Sequence, residues 1–407
     1  MASTRLTRTF TTPTNNKIWT LSFWVKRASL SASQWVINTD GGNQEDRLHF
    51  NPEDRLNYYE QDSGGSALAN FMPTAQLRDT NGWYHVVLSR DSTQATASDR
   101  LKMYYNGELQ TVFTANTYPS QNSSNRFNTA VEHEIGARNS SSYFDGYMSH
   151  VAFVDGQQLA PTVFGQTDST SGIWKFKSPS GVTWGNNGFH LKFENSGAMG
   201  TDSSGNTNNF TVNGNLKQAL DTPSNVYATW NPLHFGDTIS TSYGAFTNGN
   251  TTYTSTQAGS PYPYTLSTLA PSSGKWYAEF KFPTVNSLMI GVSDGGKYSY
   301  TGDSANDAVL FFDGNFYPGN SSWGSAFSDN DIVGVAMDLD NMKIYWHKNG
   351  TYFQSGDPTS GSTGTGAKLP PAITQVVCAF SITFGVIDVK VGLVSVVKVI
   401  DPPSATA

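Results

Sequence analysis

The chain has 407 residues, with 38 Gly, 18 Pro and 13% aromatic residues but only 14% charged ones, enough for two or three domains with full cores. Its formal net charge of −7 excludes the basic face with which a nucleic-acid binder neutralises phosphates, and it does not favour an anionic membrane surface. Asn, Ser and Thr stand where Lys and Glu usually form helical surfaces, so the composition reads as all-β.

The N-terminal stretch MASTRLTRTFTTPTNN lacks the apolar region of a signal peptide, and no secretion leader is expected. Without one, the Asn-x-Ser/Thr triplets at Asn122, Asn139, Asn209, Asn250 and Asn320 are expected to carry no glycans. The first strand signal is Ile18–Lys26, where Trp19, Leu21, Phe23 and Val25 share one face at period 2. Short strands follow at Gln34–Asn38, Arg47–Phe50 and Arg55–Gln61. The strand Trp83–Asp91 precedes Arg100–Phe113, which folds back at Asn106-Gly107. Asn-Gly tolerates the two positive φ angles of a tight hairpin. Strands at Glu132–Arg138 and Tyr143–Leu159 come next, and Ala160–Gly165 carries a short helical signal. The chain is less regular from Gln166 to about Gly236.

Regular strands resume at Gly274–Phe282, where Trp276, Ala278, Phe280 and Phe282 alternate with Tyr277, Glu279 and Lys281. Ser287–Asp294, Asp307–Gly319 and Asp331–Asp340 lead to a second hairpin at Asn349-Gly350. Gly356–Lys368 reads as a flexible loop from its composition. The tail Ala372–Ile400 is the most apolar stretch, but Asp388, Lys390 and Lys398 interrupt it, so no membrane insertion is expected. The single cysteine, Cys378, excludes an intrachain disulfide and reads as a small buried hydrophobe.

Strand signals about every ten residues predict two antiparallel β-sandwiches of jelly-roll type in tandem. The divisions read as 1–212 for the first sandwich, 213–240 for a connector, 241–385 for the second sandwich and 386–407 for a Val-rich tail. The tail is expected to dock on a partner or to pair with another subunit.

The stretches WTLSFWVKR, GWYHVVLSRD, RLKMYYNGELQ and YFDGYMSHVAFVDGQQLAP resemble the laminin G-like, concanavalin A-type jelly-roll family. Met199–Val212 is similar to a sequence found near the ends of such domains. GKWYAEFKF, MIGVSD, DIVGVAMDLDNMKIYWHKNG and LPPAI resemble a SPRY domain. With DTPSNVYATWNPL (Asp221–Leu233) between them, the series resembles structural proteins of tailed bacteriophages, particularly marine ones. The resemblance implies a virion protein, a tail or head fibre or appendage, assembled in the host cytoplasm. It implies other virion proteins and a host cell-surface glycan as partners, and a homotrimer. Two further readings stay open: a polysaccharide-active enzyme of the concanavalin A-like fold, and a SPRY-type peptide-binding adaptor.

No catalytic set is expected. Glu132 and Glu134 share a strand face with His133 on the other, but the further acid of a Glu-x-Asp-x-(x)-Glu arrangement is missing. Asp338-Leu339-Asp340-Asn341 suggests calcium ligands but reads better as a turn at Asp340-Asn341, and His85 and His347 read as ordinary sheet residues without metal spacing. No cofactor is required. Calcium is the one metal considered, at Asp40, Asn43 and Asp46, because concanavalin-type folds hold it near the sheet rim. Sugar contacts are expected from the loop aromatics Tyr298, Tyr300 and Trp323, with Asp294, Asp303 and Asn320 beside them.

Overall fold

The computed structural model describes residues 4–39, 44–235, 244–255, 264–285, 288–293, 307–317, 321–368, 379–381 and 387–389. The chain divides into two β units, residues 1–226 and 227–407. Cys378 lies outside the described residues.

Unit 1 contains strands β1 (Arg5–Thr9), β2 (Ile18–Arg27), β3 (Gln34–Thr39), β4 (Asp46–Phe50), β5 (Leu56–Gln61), β6 (Ala67–Pro73), β7 (Tyr84–Asp91), β8 (Leu101–Tyr105), β9 (Glu108–Leu109), β10 (Phe113–Thr117), β11 (Glu132–Ile135), β12 (Gly146–Asp155), β13 (Gly165–Thr167), β14 (Trp174–Phe176), β15 (Phe189–Leu191) and β16 (Thr211–Asn213). An eight-stranded sheet runs β10-β6-β5-β4-β3-β11-β1-β16, and a six-stranded sheet runs β15-β12-β2-β7-β8-β9. Their inner faces form one core that includes Trp19, Leu21, Phe23, Leu48, Tyr58, Phe71, Leu88 and Phe153. The period-2 alternation read from β2 is therefore the inner face of a sandwich.

The other face of the six-stranded sheet is covered by the β13–β14 hairpin. Trp174 Nε1 donates to His85 Nδ1 at 2.9 Å. The proton of neutral His85 then sits on Nε2 and faces Ser22 Oγ at 2.9 Å. In that tautomer the imidazole donates to the hydroxyl and cannot take its proton. Ser22 and His85 are thus a buried structural pair. The helical signal at Ala160–Gly165 corresponds to one 3₁₀ turn, Pro161–Val163: Pro161 starts it and Gly165 already belongs to β13.

Asp221 of the expected connector packs on unit 1. Its buried carboxylate meets Lys26 Nζ at 2.6 Å and Trp83 Nε1 at 2.7 Å.

Unit 2 contains β17 (Trp230–Phe235), β18 (Gly244–Thr247), β19 (Thr252–Ser255), β20 (Tyr264–Ser267), β21 (Lys275–Lys281), β22 (Met289–Ser293), β23 (Asp307–Phe311), β24 (Asn315–Tyr317), β25 (Ser321–Ser322), β26 (Ile332–Asp338), β27 (Lys343–Lys348), β28 (Thr351–Tyr352), β29 (Ala379–Ser381) and β30 (Ile387–Val389). The described strands form the orders β17-β20-β29, β18-β19-β30, β21-β26-β27-β28 and β22-β23-β24-β25. Ala278, Phe280, Phe282, Ile290, Leu310, Val333, Val335 and Trp346 belong to its core.

Both Asn-Gly turns have positive φ at both residues, 48° and 85° at Asn106-Gly107 and 51° and 85° at Asn349-Gly350. That twist suits a two-residue hairpin. Gly356–Lys368, expected to be flexible, is held by its own polar groups. Asp357 N donates to Thr365 O at 3.0 Å, Thr359 N donates to Asp357 Oδ1 at 2.8 Å, and Lys368 bridges Ile344. In the Val-rich tail, β30 pairs with β19 of the same chain, Tyr253 opposite Val389. No described helix is long and apolar enough to cross a membrane.

Candidate functional site on the outer face of the eight-stranded sheet

The site begins with a bulge. The β3–β4 register shifts between Trp35 and Ile37, so Val36 and Ile37 both join the core. Trp35 and Asn38, on either side of them, turn outward. Two rows of outward residues result. One runs Trp35, His49, Asn57; the other runs Glu134, Asn38, Arg47, Tyr59, Asn70. Leu48, Phe50, Leu56 and Tyr58 alternate with them and face the core.

Aromatic planes and charges interleave across this face. Trp35 and His49 stack at 4.9 Å between centroids. The guanidinium of Arg47 lies 4.2 Å over the Tyr59 ring, and that of Arg138 lies 5.4 Å over Trp35. Oε2 of buried Glu45 meets Arg138 Nη2 at 2.7 Å and Arg47 Nη1 at 3.4 Å. Glu134 Oε1 meets Arg5 Nε at 2.9 Å, and its Oε2 accepts from Asn139 N at 2.5 Å. Burial, reinforced by the charges of Arg47 and Arg138, holds His49 down at about 4, so it is neutral at pH 7.

Asn38 is 0% exposed, yet neither its amide oxygen nor its amide nitrogen has a hydrogen-bond partner. Along the two rows and beside them, Trp35 Nε1, Glu45 Oε1, Arg47 Nε, His49 Nδ1, Asn57 Oδ1, Asn70 Oδ1 and Arg138 Nε are also buried and without a partner among the described residues. Leaving one buried polar group unpaired costs about 1–3 kcal/mol, and folded proteins pair nearly all of them. These groups make the outer side of β3–β6 unusually rich in buried polar atoms without a protein partner. Amide, guanidinium and indole groups beside flat rings suit the hydroxyl pairs and C–H faces of a sugar.

The residues expected from sequence fall elsewhere. Tyr298, Tyr300, Asp294, Asp303, Asn320, Asp40 and Asn43 lie outside the described residues. Trp323 follows β25 in a loop and is half-buried, packed on Phe316 with ring centroids 6.2 Å apart. It borders an open groove of about 550 Å³ with Lys348, Tyr352, Phe353 and Gln354. In that lining Trp323 Nε1 is a buried side-chain atom without a partner among the described residues.

Asp46 of the calcium set is buried. Its Oδ2 accepts from Arg126 N at 2.6 Å and Phe127 N at 3.2 Å, and burial together with the Glu60 charge pushes it up to about 8. No group of three or more His, Cys, Asp or Glu suited to a metal exists among the described residues. Glu132 is exposed, Glu134 is tied to Arg5, and His133 faces the core, stacked on Phe10 at 3.6 Å. Asp338 ends β26 and accepts from Asn341 N at 3.1 Å and Asn341 Nδ2 at 2.9 Å, across the turn that the sequence places at Asp340-Asn341. His347 is buried in β27, with Nδ1 accepting from Gly350 N at 3.1 Å.

Sequence reasoning missed Trp35, Asn38, Glu45, Arg47, His49, Asn57, Tyr59, Asn70 and Arg138. The signal was present in RLHF and LNYYEQ, whose outward positions hold Arg, His, Asn and Tyr rather than Ser, Thr or Lys.

The family profile described as the concanavalin A-like lectin/glucanases superfamily matches residues 4–163. Solved structures similar to parts of the chain include the SPRY domain of human HERC1, at 15% identity, TM-score 0.31, and covering 39% of this chain and 93% of that one. A heptameric SAP-like pentraxin from Limulus polyphemus matches at 16% identity and TM-score 0.30, with 44% and 82% covered. A Bacteroides ovatus protein assigned a carbohydrate-binding role matches at 17% identity and TM-score 0.34, with 54% and 58% covered. Likenesses of this size say nothing about ligand or activity. No curated protein sequence matches the chain. The concanavalin A-like stretch contains every residue of the sheet-face site.

Proposed function

We propose that this chain is a non-enzymatic glycan-binding protein whose ligand lies across the outer face of the eight-stranded sheet. The observation that carries the reading is the run of unpaired polar atoms along the two outward rows of β3–β6, edged by the Arg47–Tyr59 and Arg138–Trp35 pairs. The lectin/glucanase profile over residues 4–163 supports it. The non-enzymatic part rests on the acids. A retaining glycosidase needs two working carboxylates about 5–5.5 Å apart, whereas Glu45 is spent on Arg47 and Arg138 and Glu134 on Arg5. A glycan array probed with the full chain, followed by assays for released sugar, tests both parts. Asn70→Ala and Tyr59→Ala are expected to lower affinity at least tenfold with an unchanged unfolding transition. Released sugar, or affinity unmoved by both variants, would overturn the reading.

The glycan is proposed to belong to a host cell surface and the chain to a phage virion, as a homotrimeric fibre or appendage. The serial resemblance of its modules to such proteins supports this. Mass spectrometry of purified particles tests it, and absence of the chain from them would refute it. The competing location for the ligand is the loop set Tyr298, Tyr300 and Trp323, favoured by the groove beside Trp323.

A further inference from the structure

We infer that the glycan is anionic and that its carboxylate or sulfate group docks against Arg47 and Arg138. The inference rests on the sheet-face reading and names the ligand class for that site. Both guanidinium groups reach the same oxygen of one carboxylate, Glu45 Oε2. Two positive charges therefore face one negative charge. The excess sits on a chain whose net charge is −7, so it is a local feature and not the reflection of a basic protein.

The geometry leaves this charge usable. Glu45 is buried, while the side chains of Arg47 and Arg138 remain 20% and 41% exposed. The carboxylate thus lies below and the guanidinium groups lie toward solvent. Each uses one Nη atom on Glu45, which leaves its other Nη toward solvent, while the Nε of each is buried. Trp35 and Tyr59 hold the two planar groups by stacking, which fixes their donor edges. Two neighbouring guanidinium groups with a solvent-facing Nη each recognise an anion through charge-assisted hydrogen bonds. Burial already works against the charge of Arg47, opposed chiefly by Glu45. An incoming anion would offset that cost, whereas a neutral sugar would add to it by displacing solvent.

Calorimetry on the full chain with oligosaccharides of matched length and linkage tests this: one neutral, one bearing uronic acids, one bearing sulfate esters. At least one anionic form is expected to bind tenfold or more tightly than the neutral form, and the preferred form identifies carboxylate or sulfate as the group recognised. Arg138→Gln is expected to lower affinity for the preferred anionic form tenfold or more and to bring it to that of the neutral form. Arg138→Lys, which keeps the charge but not the paired donors, is expected to recover only part of it. Equal affinity for all three ligands, or a preference that survives both Arg138→Gln and Arg47→Gln, would overturn the inference and leave glycan binding standing. Absence of binding to every ligand here and across the array would instead remove the reading beneath it.

Discussion

Asn38 is buried without hydrogen-bond partners, where a leucine of the same branching pattern would carry no polar cost. Removing an unpaired buried amide relieves about 1–3 kcal/mol. Asn38→Leu is therefore expected to raise unfolding free energy by on the order of 1 kcal/mol while lowering glycan affinity at least tenfold, read by denaturant titration and calorimetry. Lower stability would mean that the amide is satisfied in a way the geometry does not show. The buried histidines give a second residue-scale prediction. Burial holds His85 at about 3 and His133 at about 4, the latter despite two carbonyl acceptors beside its ring. Both values lie below the ordinary 6.5, so the folded state favours the neutral ring. Their contribution is complete above pH 6.5 and is lost as pH falls from there towards 4, at up to about 1.4 kcal/mol per pH unit for each ring. Unfolding free energy measured between pH 7 and 4 should decline over that window, and His133→Phe should make the decline shallower. An identical slope in the variant would count against this assignment.

At the scale of elements, the two Asn-Gly hairpins share a backbone but not a setting. A Cβ on Gly107 would meet the Trp174 ring at 2.6 Å, whereas one on Gly350 would meet nothing within 4 Å. Both have φ of 85°, which costs an alanine about 1 kcal/mol. Gly350→Ala should cost about that much. Gly107→Ala should cost clearly more, because the hairpin that covers the six-stranded sheet must shift. Thermal unfolding of the two variants compares them directly. Elements of this kind were legible in the sequence, because Asn-Gly and period-2 alternation act within a few residues. The bulge at Val36 was not: QWVIN carries no glycine or proline to mark it, and only pairing with Arg47–His49 reveals which side chains it turns outward. Nor does the composition of Gly356–Lys368 show that Asp357 and Thr365 will lock that loop.

At the scale of the whole chain, the all-β class follows from composition and strand spacing. The candidate site does not, since it draws on β3, β4, β5, β6, β11 and a loop at Arg138, which meet only through sheet register. Asp221 shows the same limit: it reads as a linker residue but closes against Lys26 and Trp83 of unit 1. Removing one partner of a buried ion pair typically costs about 3 kcal/mol or more. Asp221→Ala should therefore lower the unfolding transition of unit 1 while leaving that of unit 2 in place, as seen by calorimetry. The central claim is the location of the glycan, and NMR mapping of the full chain titrated with its best-binding oligosaccharide tests it most directly. The account predicts shifts of the Trp35 Nε1–H and Asn38 side-chain amide signals, together with resonances of Arg47, Asn57 and Asn70, while the Trp323 indole stays unmoved. Shifts confined to Trp323, Tyr298 and Tyr300, with the sheet face silent, would contradict it.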